Sequence, residues 1–266
     1  MPEGDVIARA AARLQEALGG ALITRVEGSN PAVRRSASRL VGGRVDEVRS
    51  HGKHLLIHLD NGLSIRTHLG MSGAWHVYRS GESWRRTYGA ARLVLATDSV
   101  TAVCFSAPRI EVERRRVVES TIAHLGPDVA GAEFDEEEYL RRANGFASHR
   151  PVSDLLLSQS VLAGVGNAYK CEILFLERVH PATPVAAFDR EGLLALARRA
   201  HRLLRANLDG SRRLTTGDRR RPVWVYGRAG KPCLRCGSLI QQAHMGDPLR
   251  YTTWCPTCQV RAGISG

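Results

Sequence analysis

The first residues of the chain, Met1-Pro2-Glu3, carry the groups best suited to covalent chemistry. A small second residue such as proline favours removal of the initiator methionine, so we expect Pro2 to carry a free secondary amine. An α-amino group titrates near pH ~8, and its unprotonated fraction is a nucleophile at neutral pH. Glu3, beside it, could act as a general acid or base. The same start also occurs by chance, so its meaning depends on the rest of the chain.

A second candidate site lies near the other end of the chain and consists of four cysteines, Cys233, Cys236, Cys255 and Cys258. Two Cys-x-x-Cys pairs joined by a hairpin-length segment are typical of a structural zinc site. Two disulfides are the weaker alternative in a chain expected to be cytosolic. Four thiolates would occupy all four coordination positions of a tetrahedral zinc ion, which leaves no open position for catalysis. Cys104 and Cys171 are expected to be small core residues.

The charge of the chain indicates a polyanionic partner. Its 266 residues carry a net charge of +12, and self-repulsion of this kind does not stabilise a fold. A generic basic surface is the alternative. Among the 38 basic residues, lysine occurs at Lys53, Lys170 and Lys231. A specific role for each lysine and chance survival against a strong arginine bias are equal alternatives. With no long apolar run and no signal peptide, we expect a cytoplasmic protein without a membrane span.

The first half of the chain is predicted to be a helix followed by strands. An apolar face over residues 5–18 predicts a leading helix that Gly19-Gly20 ends. From 21 to about 118 the pattern is β, with predicted strands at 44–50, 53–59, 63–68, 74–78, 92–96 and 101–105. Asn61-Gly62 predicts a tight hairpin. Short strands at this spacing indicate a β-sandwich or barrel-like layer.

The second half is predicted to be helical. Leu125-Gly126-Pro127 marks a hinge, and the acidic residues 135–138 suit the start of a helix. Further helices are predicted at 153–159, 167–177 and about 189–207. The segment Ala163-Gly164-Val165-Gly166 joins the first two of these. The basic stretch 211–221 predicts a mobile or DNA-facing loop.

Five motifs occur together in one order: Met1-Pro-Glu-Gly, His51-Gly52-Lys53, His68-Leu-Gly-Met-Ser-Gly73, Gly164-Val-Gly-Asn-Ala-Tyr169 and the paired Cys-x-x-Cys. On these motifs the chain resembles the formamidopyrimidine-DNA glycosylase/endonuclease VIII family over its whole length. The resemblance implies an α+β fold with three parts. These are a catalytic β-sandwich domain with a leading helix (1–122), a helix–two-turns–helix DNA-binding domain (123–222) and a zinc-ribbon β-hairpin finger (223–266). One structural Zn²⁺ is implied.

The same resemblance implies a partner and a reaction. The partner would be double-stranded DNA with a damaged base or abasic site, bound by a monomer in the cleft between the halves. Pro2 would attack C1′ of the damaged nucleotide and hold the sugar as a Schiff base, while Glu3 would protonate the ring oxygen and shuttle protons. Successive β- and δ-elimination would nick the strand. Lys53 would approach the phosphate beside the lesion, although a solvated turn lysine is the alternative.

Four more residues match DNA-contacting positions of the family. Asn167 would bind a phosphate at a helix N-terminus, although an asparagine cap fits the same position. Arg250 would grip a phosphate from the zinc hairpin; a plain surface arginine is the alternative. Met71 would fill the gap left by the flipped nucleotide, whereas a core methionine would need no such role. Arg109 matches an arginine of the family's Pro-Arg-Arg-Phe-Gly segment.

Departures from the family pattern favour its endonuclease VIII branch. Pro2-Glu3-Gly4 resembles that branch and not the Pro-Glu-Leu-Pro-Glu start of the purine branch. Glu111 replaces a phenylalanine wedge, Ser153 replaces a lysine, and Val6 replaces a glutamate, with Asp5 one position off. We therefore expect oxidised pyrimidines to be preferred. A purine-lesion glycosylase, a family member that binds damaged DNA without turnover and a zinc-ribbon regulator are the alternatives.

Overall fold

The structure, a computed structural model of the chain, describes residues 2–210, 212–247 and 249–260. The chain divides into two compact units, Met1–His124 and Leu125–Gly266. The described helices include none with the length and apolar character needed to cross a membrane. The elements of the first unit are α1 (Gly4–Leu18), β1 (Arg25–Glu27), α2 (Pro31–Leu40), β2 (Val45–His51), β3 (His54–Leu59), β4 (Leu63–His68), β5 (Ala74–Arg79), β6 (Ala91–Ala96), β7 (Val100–Phe105), β8 (Arg109–Arg114) and α3 (Arg115–Ile122).

The leading helix α1 is confirmed. Ile7, Leu14 and Leu18 recur at helical spacing and are buried in the core of the first unit. This face packs against β2 and β3. Gly19 is the C-cap residue, and a side chain there would lie 2.6 Å from the backbone oxygen of Gln15, so the end of the helix requires glycine. Because this helix is anchored in the core, the position of its first turn is fixed, and Glu3 and Pro2 directly precede that turn.

The strands form a β-sandwich, as predicted. One antiparallel sheet has the order β1-β6-β7-β5 and the other β2-β3-β4-β8. Apolar side chains from both sheets, among them Leu55, Ile57, Leu93 and Cys104, share one buried core. The predicted Asn61-Gly62 hairpin joins β3 to β4, and Gly62 has a φ of 80°, which a glycine adopts without strain.

The prediction of continuous β structure between 21 and about 118 is wrong at α2. Asn30 caps this helix, because its Oδ1 accepts hydrogen bonds from the amides of Ala32 at 2.9 Å and Val33 at 3.4 Å. Pro31 follows at the first helical position, where its missing N–H costs nothing. The Asn-Pro pair was a start signal that the surrounding strand pattern obscured. The short strands β1 and β8 also lie outside the predicted set.

The second unit contains α4 (Glu136–Asn144), α5 (Val152–Leu157), α6 (Asn167–Leu176), α7 (Arg190–Arg205), β9 (Gln241–Met245) and β10 (Arg250–Trp254). Asp135 caps α4 and Asp189 caps α7, each through its carboxylate. The two turns between α5 and α6 are held by Gln159. Its side chain donates to the carbonyls of Leu157 and Val165 and accepts from the amide of Gly164. The predicted helices are confirmed within two residues at each end.

The strands β9 and β10 form an antiparallel hairpin in which Arg250 lies opposite Met245. Gly246 turns the chain with a φ of 84°. The hairpin lies between the two cysteine pairs, within the second unit. The three-part division with boundaries after 122 and 222 stays a prediction.

Candidate functional site

Glu3 is the N-cap residue of α1, and Pro2 precedes it. The carbonyl oxygen of Glu3 accepts the first helical hydrogen bonds, from the amides of Val6 and Ile7 at 3.0 and 3.1 Å. Its carboxylate does not cap the helix, although the residue is 1% exposed. Aspartate or serine at this position would normally bond the helix amides. The Glu3 side chain is thus buried next to Pro2 without being used as a cap.

Three adjacent strands bring Lys53, His68 and Arg109 to one end of the second sheet. His54 of β3 lies opposite His68 of β4, and His68 lies opposite Arg109 of β8. Lys53 is in the turn immediately before His54. Burial, and then the positive charges of Lys53 and Arg109, lower the pKa of His68. The result is a cluster of two cations around a neutral imidazole, a suitable surface for a phosphate group.

Glu111, which stands at the wedge position of the purine branch, is held within the sheet. Its carboxylate pairs with Arg66 at 2.6 Å, and Nη1 of Arg66 lies 3.1 Å from Nδ1 of His54. Because a guanidinium only donates, Nδ1 accepts and the His54 ring carries its proton on Nε2. Burial and the Arg66 charge lower the pKa of His54 to about 3. The hydrogen-bonded series Glu111, Arg66 and His54 therefore stabilises the end of the sheet next to the turn that contains Lys53.

Met71 is exposed and does not belong to the core, since 70% of its surface is accessible. It occupies a tight turn closed by a 2.9 Å hydrogen bond from the Gly73 amide to the Leu69 carbonyl. A Cβ at Gly73 would lie 2.3 Å from that carbonyl oxygen, so the turn requires glycine. Nη1 of Arg86 donates to the carbonyl of Ser72 at 3.1 Å, which fixes the turn from the side. Sequence reasoning missed Arg86.

The acidic residue closest to the family's missing glutamate points inward. Asp5 is fully buried in the first turn of α1, and Arg9 lies 3.6 Å from its carboxylate. An acidic side chain at this end of a helix interacts favourably with the helix dipole. Val6 is half-buried, and Ser153 is buried in α5. Asp5 therefore supplies a second carboxylate near the N-terminus, one position from where the family has it.

In the second unit Asn167 and the zinc hairpin come together. Asn167 is the first residue of α6 and follows the cap, Gly166, so it does not cap the helix itself. Its Nδ2 donates to the carbonyl of Tyr251 at 2.8 Å, and its Oδ1 accepts from Nζ of Lys170 at 2.8 Å. Arg250 is exposed and directly precedes Tyr251. The two predicted phosphate ligands thus lie on segments that are hydrogen-bonded to each other.

Glu172 is a structural residue that sequence reasoning missed. It is fully buried in α6, and its carboxylate accepts hydrogen bonds from the amides of Trp224, Val225 and Tyr226 at 2.8, 2.9 and 2.9 Å. The Thr215 hydroxyl donates to it as well. The available signal was a charged residue inside an apolar helical run. Glu172 fixes the basic segment and the chain that leads to the first cysteine pair against α6.

The four predicted metal ligands converge. All four sulfur atoms lie within 4.8 Å of one another, with Cys233 and Cys258 at 3.9 Å and Cys236 and Cys255 at 3.4 Å. Four thiolates around a tetrahedral zinc would lie about 3.8 Å apart, whereas a disulfide requires ~2.05 Å. Hydrogen bonding by Ser238 lowers the pKa of Cys236 to about 6. The donor set fits one metal ion and excludes the two disulfides. Cys104 and Cys171 are buried and free, as expected.

Comparison with known proteins decides the family. The formamidopyrimidine-DNA glycosylase N-terminal domain matches residues 1–114, and the formamidopyrimidine-DNA glycosylase H2TH domain matches residues 125–217. The chain belongs to the formamidopyrimidine-DNA glycosylase family. Together the two matched ranges include every candidate residue outside the zinc hairpin and its cysteines.

Relatives within this family place the chain in its endonuclease VIII branch. It is 40% identical to the probable endonuclease 8 2 of Streptomyces coelicolor, over 97% of this chain and 94% of that protein. It is also 40% identical to the DNA-(apurinic or apyrimidinic site) lyase Nei2 of Mycolicibacterium smegmatis, over 97% and 99% of the two chains. Endonuclease 8 of Escherichia coli is 32% identical over 97% of this chain and 100% of its own.

Solved structures of the family share the fold. The Lactococcus lactis Fpg in complex with DNA containing an abasic site superposes with a TM-score of 0.82 at 21% identity, covering 97% of this chain and 100% of that one. A second Lactococcus lactis Fpg complex, with DNA containing an oxidised pyrimidine, gives a TM-score of 0.83 at 22% identity over 98% and 100% of the chains. The α+β architecture predicted from the motifs is confirmed.

Proposed function

We propose that this chain is a bifunctional DNA glycosylase and abasic-site lyase of base excision repair. The observation that carries the proposal is the buried Glu3 carboxylate, which does not cap its helix, beside Pro2 at the N-terminus of α1. The names of the endonuclease 8 and Nei2 relatives, at up to 40% identity over nearly the whole chain, support the same activity. We further propose a monomer that acts in the bacterial cytosol.

The first unit supplies the covalent chemistry. The unprotonated amine of Pro2 attacks C1′, and the C1′–N bond of the damaged base breaks, with its electron pair and a proton leaving on the base. Glu3 protonates the ring oxygen, so the sugar opens and C1′ becomes doubly bonded to the proline nitrogen.

Elimination then cuts the strand. Removal of a proton from C2′ forms a carbon–carbon double bond and breaks the C3′–O bond, which releases the 3′ phosphate. A second proton loss, from C4′, breaks the C5′–O bond in the same way. Glu3 is the group proposed to carry these protons. Water finally hydrolyses the imine and regenerates the amine.

The remaining candidate residues bind DNA. We assign Lys53 and Arg109, around the neutral His68, to the phosphate beside the lesion. Asn167 and Arg250 are assigned to backbone phosphates from the second unit. Exposed Met71 is assigned to the gap left by the flipped nucleotide, since an apolar side chain offsets part of the cost of unstacking.

The four-cysteine cluster is proposed to hold a structural Zn²⁺. Four thiolates at these separations suit zinc, and zinc accepts a closed tetrahedral sulfur set. When bound, the ion stabilises the hairpin that carries Arg250. Cys233, Cys236, Cys255 and Cys258 would be the ligands.

Oxidised pyrimidines are the proposed base substrates. The purine branch uses an aromatic wedge where this chain has Glu111, whose carboxylate is instead committed to Arg66. A charged, sheet-bound side chain cannot intercalate as phenylalanine does. The Pro2-Glu3-Gly4 start and the endonuclease 8 relatives support the same preference.

Borohydride trapping tests the proposal. The protein is incubated with duplexes that carry an abasic site, an oxidised pyrimidine or 8-oxoguanine, and the reduced adduct is mapped by peptide mass. We expect an adduct on Pro2 with the abasic and pyrimidine duplexes. Glu3→Gln should still trap the abasic aldehyde while losing release of the oxidised base.

The other outcomes separate the alternatives. Efficient trapping with the 8-oxoguanine duplex would show that the protein is a purine-lesion glycosylase. Tight binding to damaged DNA without any adduct, after confirmed removal of Met1, would identify a binder without turnover. An adduct that maps to a lysine would remove Pro2 from the mechanism.

A further inference from the structure

Lys170 is a buried cation in the second unit with no role in the chemistry described above. It lies in α6 and is 1% exposed. Removing an ammonium group from water is costly unless hydrogen bonds satisfy it. Its Nζ donates to Oδ1 of Asn167 at 2.8 Å and to the hydroxyl of Thr252 at 2.7 Å. The two acceptors belong to Asn167 and to the strand that carries Arg250, so Lys170 contacts both of the segments that carry the proposed phosphate ligands.

The first of these bonds sets the orientation of the Asn167 amide. An ammonium group only donates, so the oxygen of the amide must face it. The reverse orientation would place the NH₂ group of Asn167 against the three N–H groups of Lys170. Nδ2 is therefore directed to the carbonyl of Tyr251, at 2.8 Å. One of its two hydrogens makes that bond, and the other remains for an anion.

The second bond reaches the strand that carries Arg250. The Thr252 hydroxyl accepts from Lys170 and donates to the carbonyl of Arg250 at 3.2 Å. Thr252 is itself fully buried, which fixes the geometry of this bridge. The ammonium of Lys170 is thus bonded directly to Asn167 at the start of α6 and, through Thr252, to the backbone of Arg250.

We propose that Lys170 is a positioning residue for one phosphate-binding site composed of Asn167 and Arg250. Lys170 selects the donor orientation of the Asn167 amide and holds the start of β10 at a fixed distance from α6. The inference rests on the proposed binding of DNA phosphates by this unit and adds a residue to that site.

A binding and kinetic comparison tests this role. Fluorescence anisotropy gives Kd for a labelled duplex with a tetrahydrofuran abasic analogue, for the zinc-loaded wild type, Lys170→Met, Asn167→Ala and the double variant. We expect Lys170→Met to raise Kd about tenfold, since each buried partner left without its donor weakens the site. The double variant should bind no more than about threefold more weakly than Asn167→Ala, because the residues act as a unit.

Kinetics separate positioning from a general loss of structure. Lys170→Met should raise KM while the single-turnover rate at saturating enzyme changes less than about twofold, because Pro2 and Glu3 belong to the first unit. Lys170→Arg retains the donors and should restore most of the affinity. Ile173→Val, a fully buried and purely apolar change in the same helix, is the control for lost packing.

A second pair of variants covers failure of Lys170→Met to fold. Thr252→Val removes the bridging hydroxyl at nearly constant volume and should weaken binding about threefold or more. Thr253→Val makes the same change at the neighbouring position, on the opposite face of the strand, and should bind like the wild type. Equal effects of the two substitutions would overturn the proposal.

The remaining outcomes are also decisive. Additive losses in the Lys170 and Asn167 variants, or a Kd for Lys170→Met within twofold of wild type, would overturn the positioning role. A wild-type protein that binds the duplex but forms no adduct on Pro2 would overturn the proposed chemistry and leave the Lys170 comparison valid. A wild-type protein that binds no duplex would overturn both.

Discussion

The two units fix their functional residues by different physical means. In the first unit, strand register brings Lys53, His68 and Arg109 to one end of a sheet that rests on a large apolar core. In the second unit, the corresponding work is done by buried polar groups. Lys170 and Glu172 make directed hydrogen bonds, and four thiols surround one point.

This difference predicts different sensitivity to substitution. In the first unit, many backbone hydrogen bonds and a continuous core maintain the strand register together. A single substitution there should therefore cause only a modest loss of stability. Substitution of one partner of a buried charge should cause a large loss of stability, because the other partner is left without its hydrogen bond. The core beside the zinc hairpin is small, and two cysteines of the cluster, Cys233 and Cys255, belong to it. We therefore expect the largest effects in the second unit.

Loss of the metal should have the largest effect. Cys255→Ala removes one of four ligands, and the binding energy of a structural zinc, on the order of 10 kcal/mol, is folding energy. We expect less than one zinc per chain by atomic absorption and at least about a hundredfold weaker DNA binding. Cys104→Ala, a buried cysteine of the first unit, should retain both. Full zinc content and wild-type affinity in Cys255→Ala would contradict the assignment.

Glu172→Gln should have the second largest effect, a loss of about 3 kcal/mol in the free energy of unfolding. The substitution places an amide NH₂ group against backbone amides that now donate to the carboxylate. Denaturant titration measures the loss. Glu113→Gln changes the same charge at an exposed position of β8 and should cost less than about 0.5 kcal/mol. Similar losses in both variants would remove the contrast between buried and exposed charge.

Gly73→Ala tests the first unit at its most constrained turn. The added methyl group would lie 2.3 Å from the Leu69 carbonyl oxygen, so the turn that presents Met71 must move. We expect single-turnover release of an oxidised pyrimidine to fall about tenfold, the scale of 1–2 kcal/mol of misplaced contact. Gly89→Ala is the matched control, since a side chain there meets nothing within 4 Å. An unchanged rate in Gly73→Ala would show that the turn adapts.

The last prediction concerns the pH dependence of stability and leaves activity at neutral pH aside. The pKa of His54 is about 3 in the fold, against 6.5 for the unperturbed side chain. Between these values the unfolded state binds the extra proton, so His54 contributes stability above pH ~6.5 that is lost as the pH falls towards 3. His54→Gln should therefore unfold with a weaker pH dependence between pH 7 and 4.5 in denaturant titrations. The same change in slope for His149→Gln, at an exposed position, would contradict this account.

The two units also differ in how much of them the sequence predicts. Period-two alternation and the Asn61-Gly62 signal predict the strands of the sandwich, because local pattern and register agree there. The helix α2 was missed because its start signal lies among strand-like segments. The cysteine spacing predicts the metal cluster, since four ligands of one type leave few alternatives.

The supporting contacts could not be predicted in the same way. Glu172 accepts from amides 52 to 54 residues further along the chain, and Arg66 lies 45 residues from its partner Glu111. Long-range pairing of polar side chains depends on the tertiary fold and leaves no periodic trace. The family motifs identify the residues at the surface of the site, while the residues that hold them become visible in the structure.

The exposure of Met71 makes this protein sensitive to the same oxidants that produce the DNA lesions it is proposed to repair. Met71 is 70% exposed, so its thioether is open to attack by peroxide. Oxidation gives a sulfoxide, a polar and chiral group that suits a gap between stacked bases poorly. Oxidative stress would then raise the number of lesions and reduce the capacity to open the helix around them. A methionine sulfoxide reductase would reverse the second effect, which would link recovery of repair to the thiol-reducing state of the cell.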